Sequence, residues 1–114
     1  MSLEELNAFL KTLKGGDKHF KRMQTYVEQL EQRGSRRAKN ERKRLDEDIE
    51  RYRKTEDRLY EVMNEFLTEE EREIIISRYI LGESFERLAF EKFCDIRTIF
   101  RHLSKAKYKI IIHF

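Results

Sequence analysis

The chain has 114 residues, of which 41% are Asp, Glu, Lys or Arg and 39% are hydrophobic. That is enough apolar side chain for one small domain, or a small domain with a helical appendage, and too little to wall a deep catalytic cavity. Proline is absent and glycine occurs four times, which argues against a loop-rich β-sandwich or a disordered low-complexity chain.

The elements follow in chain order. Ser2 and Glu5 form an S-x-x-E capping box, and Leu3, Leu6, Leu10 and Leu13 recur at spacings of three and four, one face of a helix. Gly15-Gly16 ends it. Asp17 is expected to cap a second helix with the stripe Phe20, Met23, Val27 and Leu30, broken at Gly34-Ser35. The longest helix is expected over 36–66, with Ala38, Leu45, Ile49, Tyr52, Leu59, Met63 and Phe66 as a narrow seam of coiled-coil or bundle type.

The last third changes texture. Thr68 before Glu69, Glu70 and Glu71 is a strong helix start, with Ile74, Ile75, Tyr79 and Ile80 as the buried face and Gly82 as the stop. Ser84 should cap a short helix reaching about Phe93, with Phe85, Leu88, Ala89 and Phe93 inward. Cys94 falls in a tight turn. Asp95 should cap a final helix to about Lys109, with Ile99, Leu103, Ala106 and Ile110 inward. A short helix, a tight turn and a capped basic helix follow the pattern of a helix-turn-helix.

The formal net charge of +3 hides blocks. Residues 1–34 carry +1, 35–45 carry +5, 46–73 carry −7, 74–94 are neutral and 95–114 carry +4. Two basic blocks around an acidic one point to an anionic partner. With Ile99, Leu103 and Ala106 inward, Arg97, Thr98, Arg101 and Lys105 face outward and His102 lies at the edge of that face. Arg can fork two hydrogen bonds to guanine in the major groove, and Thr can bond phosphate or meet a thymine methyl. Ser84, capping the preceding helix, is counted with this DNA-binding set. The competing reading is a solvated basic helix face. For Arg36, Arg37, Lys39, Arg42, Lys43 and Arg44 a solvated helix face is the first reading, and phosphate contact the second.

Leu67-Thr68, Arg72-Glu73-Ile74-Ile75, Arg78-Tyr79 and Gly82-Glu83-Ser84-Phe85-Glu86-Arg87-Leu88-Ala89 together resemble region four of bacterial sigma factors. Asp95-Ile96-Arg97-Thr98-Ile99-Phe100-Arg101 with Ala106 is more similar to the small phage late-gene activators of the ArpU and RinA type. The resemblance covers about residues 59–110. It implies a helix-turn-helix in which Arg97, Thr98 and Arg101 reach base edges or nearby phosphates. Phe100 departs from it, standing where a polar residue is common, and the stretch 90–94 is more apolar than usual.

Other chemistry is weakly signalled. His19, His102 and His113 lack metal-ligand spacing, and surface or DNA-edge places are expected for them. Nothing marks Cys94 as a nucleophile, and the glycines form no phosphate-cradling loop. No enzyme activity, metal or cofactor is expected. A single cysteine makes a reducing compartment the default, here the cytoplasm of a bacterial or phage-infected cell. No apolar run approaches the ~18 residues of a membrane span, and from the acidic start no signal peptide is expected. The apolar tail 110–114 should pack back on the module or on a partner chain.

The sequence thus predicts an all-α protein: a helical hairpin or coiled coil over 1–66, which would dimerise the chain, and a sigma-region-four-like helix-turn-helix over 67–114. The expected function is sequence-specific binding of double-stranded DNA in transcriptional control, with RNA polymerase as a further candidate partner. The rival readings are a DNA-packaging recognition subunit of the small-terminase kind, and a sigma-like module that grips RNA polymerase without reading DNA.

Overall fold

The computed structural model describes residues 1–114 and is all-helical, with no strand. Six α-helices run in order: α1 Leu3–Thr12, α2 Gly16–Gln32, α3 Ala38–Phe66, α4 Glu69–Ile75, α5 Phe85–Glu91 and α6 Ile96–His113. A π-helical turn, Ile76–Ile80, continues α4. No helix is long and apolar enough to cross a membrane.

The chain forms two compact units, one of Met1–Lys14 with Arg58–Phe114 and one of Gly15–Asp57. This division differs from the boundary expected at residue 66. Leu6 and Leu10 of α1 are fully buried in the same core as Leu59, Val62 and Met63 of α3, Ile74 and Ile75 of α4, Leu88 of α5, and Ile99, Leu103, Ala106 and Ile110 of α6. An isolated short helix such as α1 is marginal in water, so burial of its leucine face is what holds it. Val62, absent from the stripe expected for the long helix, is fully buried beside Met63, whereas Leu3, expected in the stripe of α1, is exposed.

In the first unit the helix starts are set by side-chain caps. Ser2 accepts the Glu5 N–H and Thr68 the Glu71 N–H, each satisfying a donor that the helix leaves free. Glu71 Oε1 returns the favour, accepting the Thr68 N–H at 2.8 Å, so a full capping box stands at α4. The same oxygen accepts Lys109 Nζ of α6 at 2.7 Å. Glu71 is the one charged side chain that is buried, at 2% exposure. Burial pushes its carboxyl up, but the Lys109 ammonium and the Thr68 donors outweigh this and leave it below the ordinary glutamate value.

Junctions are tied in the same way. Arg72 Nη1 donates to the Asn64 and Leu67 carbonyls where α3 turns into α4, and Lys92 pairs with Glu73 at 2.6 Å. The expected helix over 68–80 loses its α-register at Ile76, where the bonding shifts to the wider π pattern and ends with the Leu81 N–H on the Ile76 carbonyl. Gly82 then takes a left-handed φ of 74°, and a methyl there would meet the Lys14 side chain. The last helix runs four residues beyond the expected Lys109. Ile110 is buried, Ile111 and Phe114 pack on the core, and His113 stacks on Phe66 at 3.6 Å, so His113 is a packing residue. The tail thus packs back on its own unit, apart from Ile112, which is exposed.

In the second unit α2 and the start of α3 lie antiparallel, Asp17 meeting Arg53 at one end and Glu31 meeting Arg42 at the other. Asp17 is not the cap of α2, because Gly15 holds that position without a side-chain bond and Asp17 lies in the first turn, bound to Arg53 at 2.8 Å. Gly16 is buried against the Tyr52 ring, where a Cβ would come 2.6 Å from the hydroxyl oxygen. Val27, Leu30, Ala38 and Leu45 are buried, and Phe20 meets Tyr52 edge-on at 5.2 Å.

Two stability outcomes follow. Glu71→Ala should cost about 2 kcal/mol in denaturant melts, since it removes a capping box and a desolvated ion pair. Because the folded pKa of Glu71 is lowered, its contribution is complete above the ordinary glutamate range and is lost as pH falls through the lower folded value. The variant should therefore lose less stability on acidification than the parent. Gly82→Ala should cost about 1–2 kcal/mol, for the left-handed backbone and the displaced lysine, read by the same melts.

Candidate nucleic-acid interface

The basic helix α6 is held in place by its own unit. Asp95 caps it, the Oδ1 accepting the Arg97 N–H at 2.9 Å, and Ser84 caps α5 by accepting the Arg87 N–H. Between the two helices the Cys94 N–H reaches back to the Ala89 carbonyl at 3.0 Å, which closes the turn in few residues. Ile99, Leu103, Ala106 and Ile110 face the core, at the spacing the sequence predicts. Phe100 lies edge-on to Phe85 at 4.9 Å, and the Arg78 guanidinium caps the other ring at 4.7 Å. That contact gives the aromatic residue at position 100 a packing duty linking the π-helical turn, α5 and α6.

The outward face divides in two. Arg97 and Arg101 are exposed and carry no ion pair, and Arg101 Nη2 donates to Thr98 Oγ1 at 3.3 Å. These three side chains sit together at the start of the helix, one turn deep. Lys105 continues the stripe one turn on, and 97, 101 and 105 span ~12 Å of helix axis. Here the surroundings turn acidic: His102 Nε2 lies 3.8 Å from Glu70 Oε2, and Lys105, His102 and Lys109 line an open concavity of about 400 Å³ with Thr68, Glu69, Glu70 and Glu71. The structure therefore brings Arg97, Thr98 and Arg101 together on a face open to an anion, and sets His102 and Lys105 beside carboxylates. Ser84 is exposed, but its hydroxyl is engaged in capping.

The basic segment belongs to the other unit. There Arg42 is bound to Glu31 and Arg37 faces Glu41 at 3.9 Å, whereas Arg36, Lys39, Lys43 and Arg44 are exposed and form no ion pair.

Phe93, expected on the buried face of α5, is 96% exposed and adopts φ 53°. The helix ends at Glu91 and the turn swings the ring into solvent, beside Phe90 at 82% exposure. A capped helix ending normally takes glycine or asparagine at such a left-handed position, so the phenylalanine carries a backbone cost with no packing return inside the chain. Glu71 is the residue that sequence reasoning missed: T-x-x-E is a readable capping signal, but its burial arises from Lys109, 38 residues away. No group of three His, Cys, Asp or Glu side chains is placed to share a metal ion. Family models, curated proteins and solved structures include no match to this chain.

Phe93→Gly should raise stability by about 0.5–1 kcal/mol, relieving the left-handed strain without removing a buried contact. Chemical denaturation checks it, and an equal loss of stability would mean the ring is buried.

Proposed function

We propose that the chain is a sequence-specific DNA-binding transcriptional regulator of phage or prophage type, with α5, the turn and α6 acting as a helix-turn-helix. The observation that carries this reading is the cluster of Arg97, Thr98 and Arg101 at the Asp95-capped start of α6. Two unpaired guanidinium groups and a hydroxyl are held there on a helix whose opposite face is locked in the core. A helix so presented fits the ~12 Å major groove, and an arginine fork matches guanine O6 and N7. The order of motifs shared with sigma region four and with the ArpU and RinA type supports the same assignment. Lys105 and His102, beside Glu69 and Glu70, serve the rim and not base reading. The helices before the module would dimerise the chain and set two half-sites about one turn (~34 Å) apart.

Selection from a random duplex library tests this directly. The parent protein should enrich one motif that survives raised salt, and Arg97→Ala with Arg101→Ala should lower affinity for it by roughly 100-fold or more. Enrichment of the same motif with equal affinity by the double variant would remove α6 as the reader.

A further inference from the structure

The unit that holds α6 is electrically neutral, with twelve Lys and Arg against twelve Asp and Glu, so the whole net charge of +3 resides in Gly15–Asp57. Within that second unit pairing is uneven. Arg37, Arg42, Arg51, Arg53 and Lys54 all have carboxylate partners. Eight cations have none, and four of them, Arg36, Lys39, Lys43 and Arg44, fall within nine residues of chain. Ala38 and Leu45 mark the buried side of this stretch of α3, which turns the four unpaired cations away from α2 towards solvent.

We infer that this face is a second, sequence-independent DNA surface, one that tracks the phosphate backbone of a duplex through Arg36, Lys39, Lys43 and Arg44. The inference rests on the proposed function only for the identity of the polyanion. Three observations carry it. The cations cluster without partners while their neighbours on the same helix are paired. Arg36 stands just before α3 and Lys39 in its first turn, where the helix dipole disfavours positive charge, so the free chain bears a cost there that an anion relieves. The same unit of a second copy is no complement, because it carries the same net +3 and pairing the two would leave that charge unmatched. Phosphates supply charge at one per ~1.7 Å of duplex axis. A neutral reading unit gains little long-range attraction to DNA by itself, and this surface provides it.

The test uses the full chain and a labelled random-sequence duplex, with binding followed by anisotropy from about 50 to about 200 mM salt. The variant R36Q/K39Q/K43Q/R44Q should bind about 100-fold more weakly at the lower salt, with a salt slope shallower by about 3.6, at roughly 0.9 per phosphate lost. Its preference for the selected motif should persist. Its thermal midpoint should match or slightly exceed the parent's, since like charges leave the start of a helix. K39Q/K43Q alone should give about half the slope change, which keeps the test valid if the fourfold variant folds poorly. An unchanged slope and affinity overturns the inference, as does a variant whose only change is in the oligomeric state of the free chain. Failure of the parent to bind any duplex overturns it together with the proposed function. A slope that depends on these four residues, with no selected motif and no effect of Arg97 and Arg101 replacement, upholds the surface and ends the assignment of α6 as reader.

Discussion

One buried carboxylate holds the first unit in register. Glu71 closes the start of α4 through the Thr68 N–H and binds Lys109 of α6 with the same oxygen. A buried charge is costly unless paired and hydrogen-bonded, so the arrangement in which Oε1 meets both Thr68 and Lys109 is favoured, with Oε2 buried and without a partner. The apolar contacts around it, Ile74 and Ile75 against Ile99, Leu103 and Ile110, are non-directional and would tolerate sliding. The apolar stripe sets which face of α6 turns outward, and the ion pair adds a directional constraint on its register against α4.

That rotation gives the surface its chemistry. With Ala106 and Ile110 inward, exposed Arg97 and Arg101 and half-buried Thr98 share the outward side, while Lys105 and His102 come beside Glu69 and Glu70. The acids that favour the N-terminus of α4 also lie beside His102 and Lys105 of α6. The second unit has the opposite character, with its surplus cations on the solvent side of α3 and no core contact with them.

What the sequence made legible was local. Ser2, Thr68, Ser84 and Asp95 cap the helices they were expected to cap, because a cap needs only residues within one turn. The long helix begins within two residues of its expected start and ends at Phe66 as expected, since most of its seam keeps the helical period. The inward and outward faces of α6 were legible for the same reason. What failed depends on partners distant in the chain. Asp17 was expected as a cap but is held by Arg53. Phe93 was expected inside, but the left-handed turn turns its ring outward. The association of α1 with the last helices comes from burial of Leu6 and Leu10 in a core built mostly after residue 58, which no local pattern encodes.

The most direct measurement of the central claim is NMR of the ¹⁵N-labelled full chain titrated with the duplex recovered by selection. The arginine side-chain resonances of Arg97 and Arg101 and the backbone amides of the first turns of α6 should shift and sharpen together, while those of the core face move little. Saturating binding that leaves the Arg97 and Arg101 resonances unmoved would contradict it.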